Sequence, residues 1–60
     1  MTRAERQAET DARLYREGYE LGKVNGAAGI PLSAKVAEQM ATTPRGSGYI
    51  AGHADGKAGR

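Results

Sequence analysis

Residues 18–29 read GYELGKVNGAAG, and residues 48–59 read GYIAGHADGKAG. At an offset of 30, six of the twelve positions are identical: Gly18/Gly48, Tyr19/Tyr49, Gly22/Gly52, Gly26/Gly56, Ala28/Ala58 and Gly29/Gly59. Asn25/Asp55 is a similar pair. The shared pattern, G-Y-x-x-G-x-x-x-G, marks two related half-units joined by a linker, and a phased repeat of this kind governs the rest of the reading. Glycines four apart fall on one stripe of a helix. Each interior helical glycine costs about 0.8–1.0 kcal/mol relative to alanine, so Gly18, Gly22, Gly48 and Gly52 together disfavour helix by roughly 3–4 kcal/mol. That penalty is tolerated only where the missing side chain lets another backbone or an aromatic ring approach closely.

Upstream, residues 3–21 hold Ala, Glu, Arg, Gln and Leu with no proline, and Thr2 with Glu5 fits a capping box. Ala8, Ala12, Tyr15, Tyr19, Gly22 and Gly26 recur at spacings of 4, 3, 4, 3 and 4, a helical seam. Leu14, Gly18, Leu21 and Val24 widen it. Glu9–Arg13, Arg13–Glu17 and Arg16–Glu20 are candidate i,i+4 ion pairs on the outer face. A helix is expected over about 3–26, ended by the Asn25–Gly29 segment and Pro31. Ser33 is a candidate N-cap for a short helix over about 34–41, carrying Val36 and Met40. Thr43 and Pro44, as N-cap and first helical residue, open a third helix over about 44–57. No strand pattern occurs.

The expected fold is therefore all-α in a single small domain with frayed ends at residues 1–6 and 57–60. Two glycine-striped helices, about 3–26 and 44–57, are expected to pack antiparallel, stripe to stripe. Tyr19 and Tyr49 lie across the contact, and the short middle helix brings Leu32, Val36 and Met40 to one open side. Gly18, Tyr19, Gly22, Gly26, Gly48, Tyr49, Gly52 and Gly56 form the packing surface.

Sixty residues bury only about 60% of the unfolded surface, and many such domains are marginal alone. Nine glycines are about twice the usual share of roughly 7%. The chain has no cysteine, hence no disulfide framework and no thiolate chemistry. Its longest uncharged run, residues 24–34, is too short and polar to span a bilayer, and Glu17, Glu20, Lys23, His53, Asp55 and Lys57 interrupt both glycine segments. A cytoplasmic protein without membrane contact is expected.

Chemical motifs are few. Gly46-Ser47-Gly48-Tyr49-Ile50-Ala51 matches a dinucleotide fingerprint in letters, but no strand precedes it and no acidic residue follows at the required distance. Gly22-Lys23 is followed by Val24, so there is no phosphate loop. His53 is the single histidine, and in His53-x-Asp55 the two side chains leave a helix about 200° apart. His53 is accordingly expected to be a solvated helix residue. Ser33 and Ser47 read as caps. No catalytic constellation, metal site or cofactor site is expected.

Charge is the remaining functional handle. Residues 1–20 carry four basic and five acidic groups, whereas residues 21–60 carry five basic and two acidic, giving −1 and +3. Arg16, Lys23, Arg45, Lys57 and Arg60 are the candidate phosphate contacts. Tyr15, Tyr19 and Tyr49 either stack on bases or fill the core. The phased segments, residues 16–22 (REGYELG) and 48–52 (GYIAG), resemble the ribosome modulation factor family, small bacterial and phage-borne proteins with an R-x-G-Y-x-x-G segment, a linker and a second aromatic-glycine helix. That resemblance, over about residues 13–58, implies a helix–linker–helix protein that binds the small ribosomal subunit through ribosomal RNA and silences translation. The family's linker Cys-Pro-Tyr and second-helix tryptophans are absent here, and so is its strong basicity. The glycine ladder also looks like the Gly-x-x-x-repeat adaptors of cytosolic iron–sulfur assembly, which are helical and bind proteins. The expected function is a non-enzymatic RNA- or ribosome-associated modulator acting by occupancy. The alternative is a protein-interaction module that binds a host or cognate protein through Ala8, Ala12, Leu14 and Tyr15. So small a core, worth no more than about 3–5 kcal/mol, also makes a homodimer a live expectation.

Overall fold

The local signals for helix are met almost residue for residue in the computed structural model, which describes residues 2–60. Helix α1 spans Arg3–Ala27, α2 Ala34–Met40 and α3 Pro44–Lys57. Thr2 and Glu5 form the reciprocal capping box. Met1, part of the expected frayed terminus, lies outside the described residues. Ser33 and Thr43 accept from the backbone N–H groups of Val36 and Gly46 as N-caps of α2 and α3. Both long helices end identically. Gly29 and Gly59 take φ of 78° and 77°, and the next residues, Ile30 and Arg60, donate back to the Asn25 and Asp55 carbonyls. This is a left-handed C-cap that glycine adopts without steric cost.

The two long helices pack on each other through glycine, as expected, but the direction differs from expectation. A Cβ on Gly18, Gly22 or Gly26 would run into the carbonyl oxygen of Arg45, Tyr49 or His53 respectively. Height on α3 rises with height on α1, so the helices are parallel. In return, Gly48, Gly52 and Gly56 lie on the carbonyls of Tyr15, Tyr19 and Lys23. Adding the 30-residue offset turns one set of contacts into the other, so an approximate two-fold axis runs along the helices between the repeats. Carbonyl oxygens sit where side chains would otherwise start, the setting for Cα–H···O contacts.

The linker makes the parallel arrangement possible. Antiparallel helices need only a loop of about 2–8 residues, whereas residues 28–43 must carry the chain back down about half of α1, to the level of Leu14 and Tyr15. Helix α2 performs part of that return and packs against the start of α3, with Gly46 seated on the Met40 backbone. Its contribution is smaller than expected: Val36 is exposed, and only Leu32 and Met40 of the three apolar residues are half-buried.

The Cα envelope measures 41 × 23 × 11 Å, one helix thick. Among the described residues no apolar side chain is buried, and the buried positions are Gly18, Gly22, Gly26, Gly46, Gly48, Gly52, Gly56 and His53. The core is backbone against backbone. None of the three expected i,i+4 ion pairs closes; Glu17 reaches Arg45 on α3 instead, at 2.8 Å. That pair is exposed at both ends, so it is worth no more than about 1 kcal/mol.

Candidate functional site

A two-fold axis along the helices turns the faces over, so each side of the plate shows one face of the first repeat beside the opposite face of the second. On the first face the Tyr19 hydroxyl donates to the Asp55 carboxylate. On the second face Asn25 Nδ2 donates to the Tyr49 hydroxyl at 2.7 Å. Tyr19/Tyr49 and Asn25/Asp55 are repeat-related, so these are one interaction made twice with its chemistry altered once. The tyrosines do lie across the contact, yet they fasten its edges and do not fill a core. The hydrogen bond to Asp55, aided by partial burial and the carboxylate charge, pushes the Tyr19 phenol above its usual value of 10.0. A phenol with a raised folded-state pKa contributes stability that is fully present below the unfolded value and lost as pH rises through the folded one. Thermal stability is therefore expected to fall above about pH 10, and Tyr19→Phe should flatten that fall. Because its acceptor is ionised, Tyr19→Phe should also lower the melting temperature more than Tyr49→Phe at neutral pH. Equal losses from the two variants would contradict this.

His53 departs from the expected solvated position. It is buried, its Nε2–H donates to the Ile30 carbonyl at 2.6 Å, and its ring stacks on Tyr49 at 6.0 Å between centroids. Its work is to tie the linker to α3 on the second face. Asp55 serves Tyr19 on the first face, so the two side chains diverge as their spacing requires. Among the described residues no cluster of His, Asp and Glu is arranged to hold a metal ion.

Two surface depressions flank the plate. One, beside α1, is lined by Ala12, Tyr15, Arg16 and Tyr19 and has a volume of about 440 Å³. The other, of similar size, lies where the linker leaves α1; Ile30, Leu32, Ile50, His53, Ala54 and Lys57 are among its lining residues. The five candidate cations are divided among these places. Arg16 lines the tyrosine groove, and Lys23, seven residues on, continues the same stripe of α1. Arg45 is engaged by Glu17, Lys57 borders the linker groove, and Arg60 ends the chain past the cap of α3. The arrangement thus brings together Arg16 and Lys23 with Tyr15 and Tyr19, and separates the other three. The alternative partner face is also divided. Ala8, Ala12 and Tyr15 share one flank, with Tyr15 43% exposed, whereas half-buried Leu14 leaves the helix about 200° from Ala12.

Comparison with protein-family models, curated proteins and solved structures finds no match for this chain. Among the described residues, no helix is long and apolar enough to cross a membrane. The class that the fold defines is a flat, all-helical plate of two parallel glycine-packed helices, with its larger side chains outside.

Proposed function

We propose that this chain is a small non-enzymatic binding protein that acts by occupancy on RNA, with the small ribosomal subunit as the partner its sequence resemblance suggests. The observation that carries this reading is the α1 stripe of Ala12, Tyr15, Arg16, Tyr19 and Lys23. It offers exposed aromatic surface between two cations that have no ion-pair partner among the described residues. Cations at that spacing suit phosphates, and tyrosine faces suit unpaired bases. A plate one helix thick supports an occupancy mechanism, because it has no interior in which to enclose a substrate. The test is binding of a fluorescent single-stranded RNA across a salt series, with sedimentation against small ribosomal subunits alongside. Two phosphate contacts should give a log–log slope of about −1.4, at about −0.7 per contact. Absence of RNA binding at low salt, or binding indifferent to salt, would overturn the reading. A protein partner is the second reading, favoured by Leu21 and Val24, which are 57% and 65% exposed. Capture of one stoichiometric protein, unaffected by nuclease and moderate salt, would establish it in place of the first.

A further inference from the structure

The internal repeat acts as its own control, because each residue around the tyrosine groove has a counterpart 30 positions away on the other side of the plate. Arg16, Lys23 and Asp55 are charged; their counterparts are Gly46, His53 and Asn25. Those counterparts serve the chain itself. Gly46 is seated on the Met40 backbone, His53 bonds the Ile30 carbonyl, and Asn25 bonds Tyr49. The repeats thus diverge toward charge on the side where the groove is open.

Asp55 is the informative member. Holding a tyrosine across the helix pair does not require a carboxylate, since the Asn25 amide does the same for Tyr49. One carboxylate oxygen of half-buried Asp55 accepts from the Tyr19 hydroxyl. The other has no partner among the described residues, where no side-chain nitrogen or oxygen is buried without one, so it faces water. No cation pairs with it there either. An acceptor with spare capacity therefore stands at the hydroxyl end of a ring that lines the groove. It repels phosphate. A lysine or arginine from a protein would reach it only past the like charges of Arg16 and Lys23.

An unpaired base meets neither obstacle. Stacked off-centre on Tyr19, it extends its Watson–Crick edge past the hydroxyl toward Asp55. The four bases differ there. Guanine places two donors side by side, N1–H and the 2-amino group, whereas adenine, cytosine and uracil each set an acceptor beside their donor, facing the carboxylate's charge. We propose that Asp55 makes the tyrosine groove selective for unpaired guanine, whose two donors bond the carboxylate while the neighbouring phosphates meet Arg16 and Lys23. This selectivity rests on the RNA reading above.

The test is fluorescence anisotropy at low salt with a labelled uridine oligomer carrying one central guanosine, inosine or adenosine. The wild type should bind the guanosine oligomer about tenfold more tightly than the adenosine one, the discrimination a two-point base contact supplies. Inosine lacks only the 2-amino donor and should fall between them. D55N should lose the guanosine preference yet stay helical by circular dichroism, because an amide already partners Tyr49. N25D, the reverse exchange on the other side, should keep the preference. Equal binding of the three oligomers by the wild type would overturn the guanine selectivity and leave the RNA reading standing. So would guanosine and inosine bound alike, or a D55N chain that keeps the preference. Binding of none of them would overturn both.

Discussion

Gly22→Ala is expected to remove most of the protein's stability at room temperature. In an isolated helix the same change is favourable by about 0.8–1.0 kcal/mol. In the folded chain the new methyl would overlap the Tyr49 carbonyl oxygen and lie 2.8 Å from the His53 backbone nitrogen. Both obstacles are main chain, so no rotamer change relieves them and the helices must move apart. Overpacking costs about 1–3 kcal/mol where side chains can adjust, and more where they cannot. A loss of about 3 kcal/mol or more meets a domain of this size whose total is about 3–5 kcal/mol. Gly52→Ala, its repeat-related partner on the Tyr19 carbonyl, should behave alike. Gly29→Ala is the informative comparison. Nothing lies near its Cβ position, but its φ of 78° costs about 1–2 kcal/mol for a side chain, which lowers the melting temperature and keeps a cooperative transition. Thermal melts by circular dichroism read all three; a Gly22→Ala chain as stable as wild type would refute the carbonyl-to-glycine packing.

R16E/K23E is expected to abolish RNA binding while leaving the fold in place. Both side chains are exposed and neither pairs across the helices, so the melting temperature should stay close to wild type. Losing two phosphate contacts at about 0.1 M salt lowers affinity about 25-fold, and the reversed charges bring the loss to about 100-fold. Lys35→Glu, on α2 and outside both grooves, should change affinity by less than about threefold through net charge alone. Arg45→Glu should also have a small effect, because Arg45 is already held by Glu17. Equal losses from Lys35→Glu and R16E/K23E would replace a defined groove with diffuse attraction.

Which elements form was readable along the chain, because helix caps are local. Thr2 with Glu5, Ser33, and Thr43 with Pro44 each act within three residues, and the glycine spacing identified the faces that meet. Their relative direction was not read correctly, although two signals bore on it. A 16-residue connection, residues 28–43, exceeds what an antiparallel pair requires, and the repeat-related Tyr19/Tyr49 and Asn25/Asp55 can bond crosswise when the repeats lie level. His53 was misplaced for a different reason: its partner is the Ile30 carbonyl, 23 residues away, and no sequence pattern marks a backbone acceptor. At the candidate site, Arg16 and Lys23 share a stripe with Tyr19 by spacing alone. The separation of Arg45, Lys57 and Arg60 from them depends on how α3 is turned, a property of the packed pair.

The parallel glycine-to-carbonyl pair underlies the fold and the division of the cations. Spin labels at exposed positions of the cysteine-free chain test it directly, as A27C/K57C and A27C/R45C measured by double electron–electron resonance. In the parallel pair Ala27 and Lys57 are level, while Arg45 lies twelve residues below Lys57, an axial displacement of about 18 Å. The first distance should be much the shorter of the two. A shorter distance for Ala27 and Arg45 would show an antiparallel pair and contradict the account.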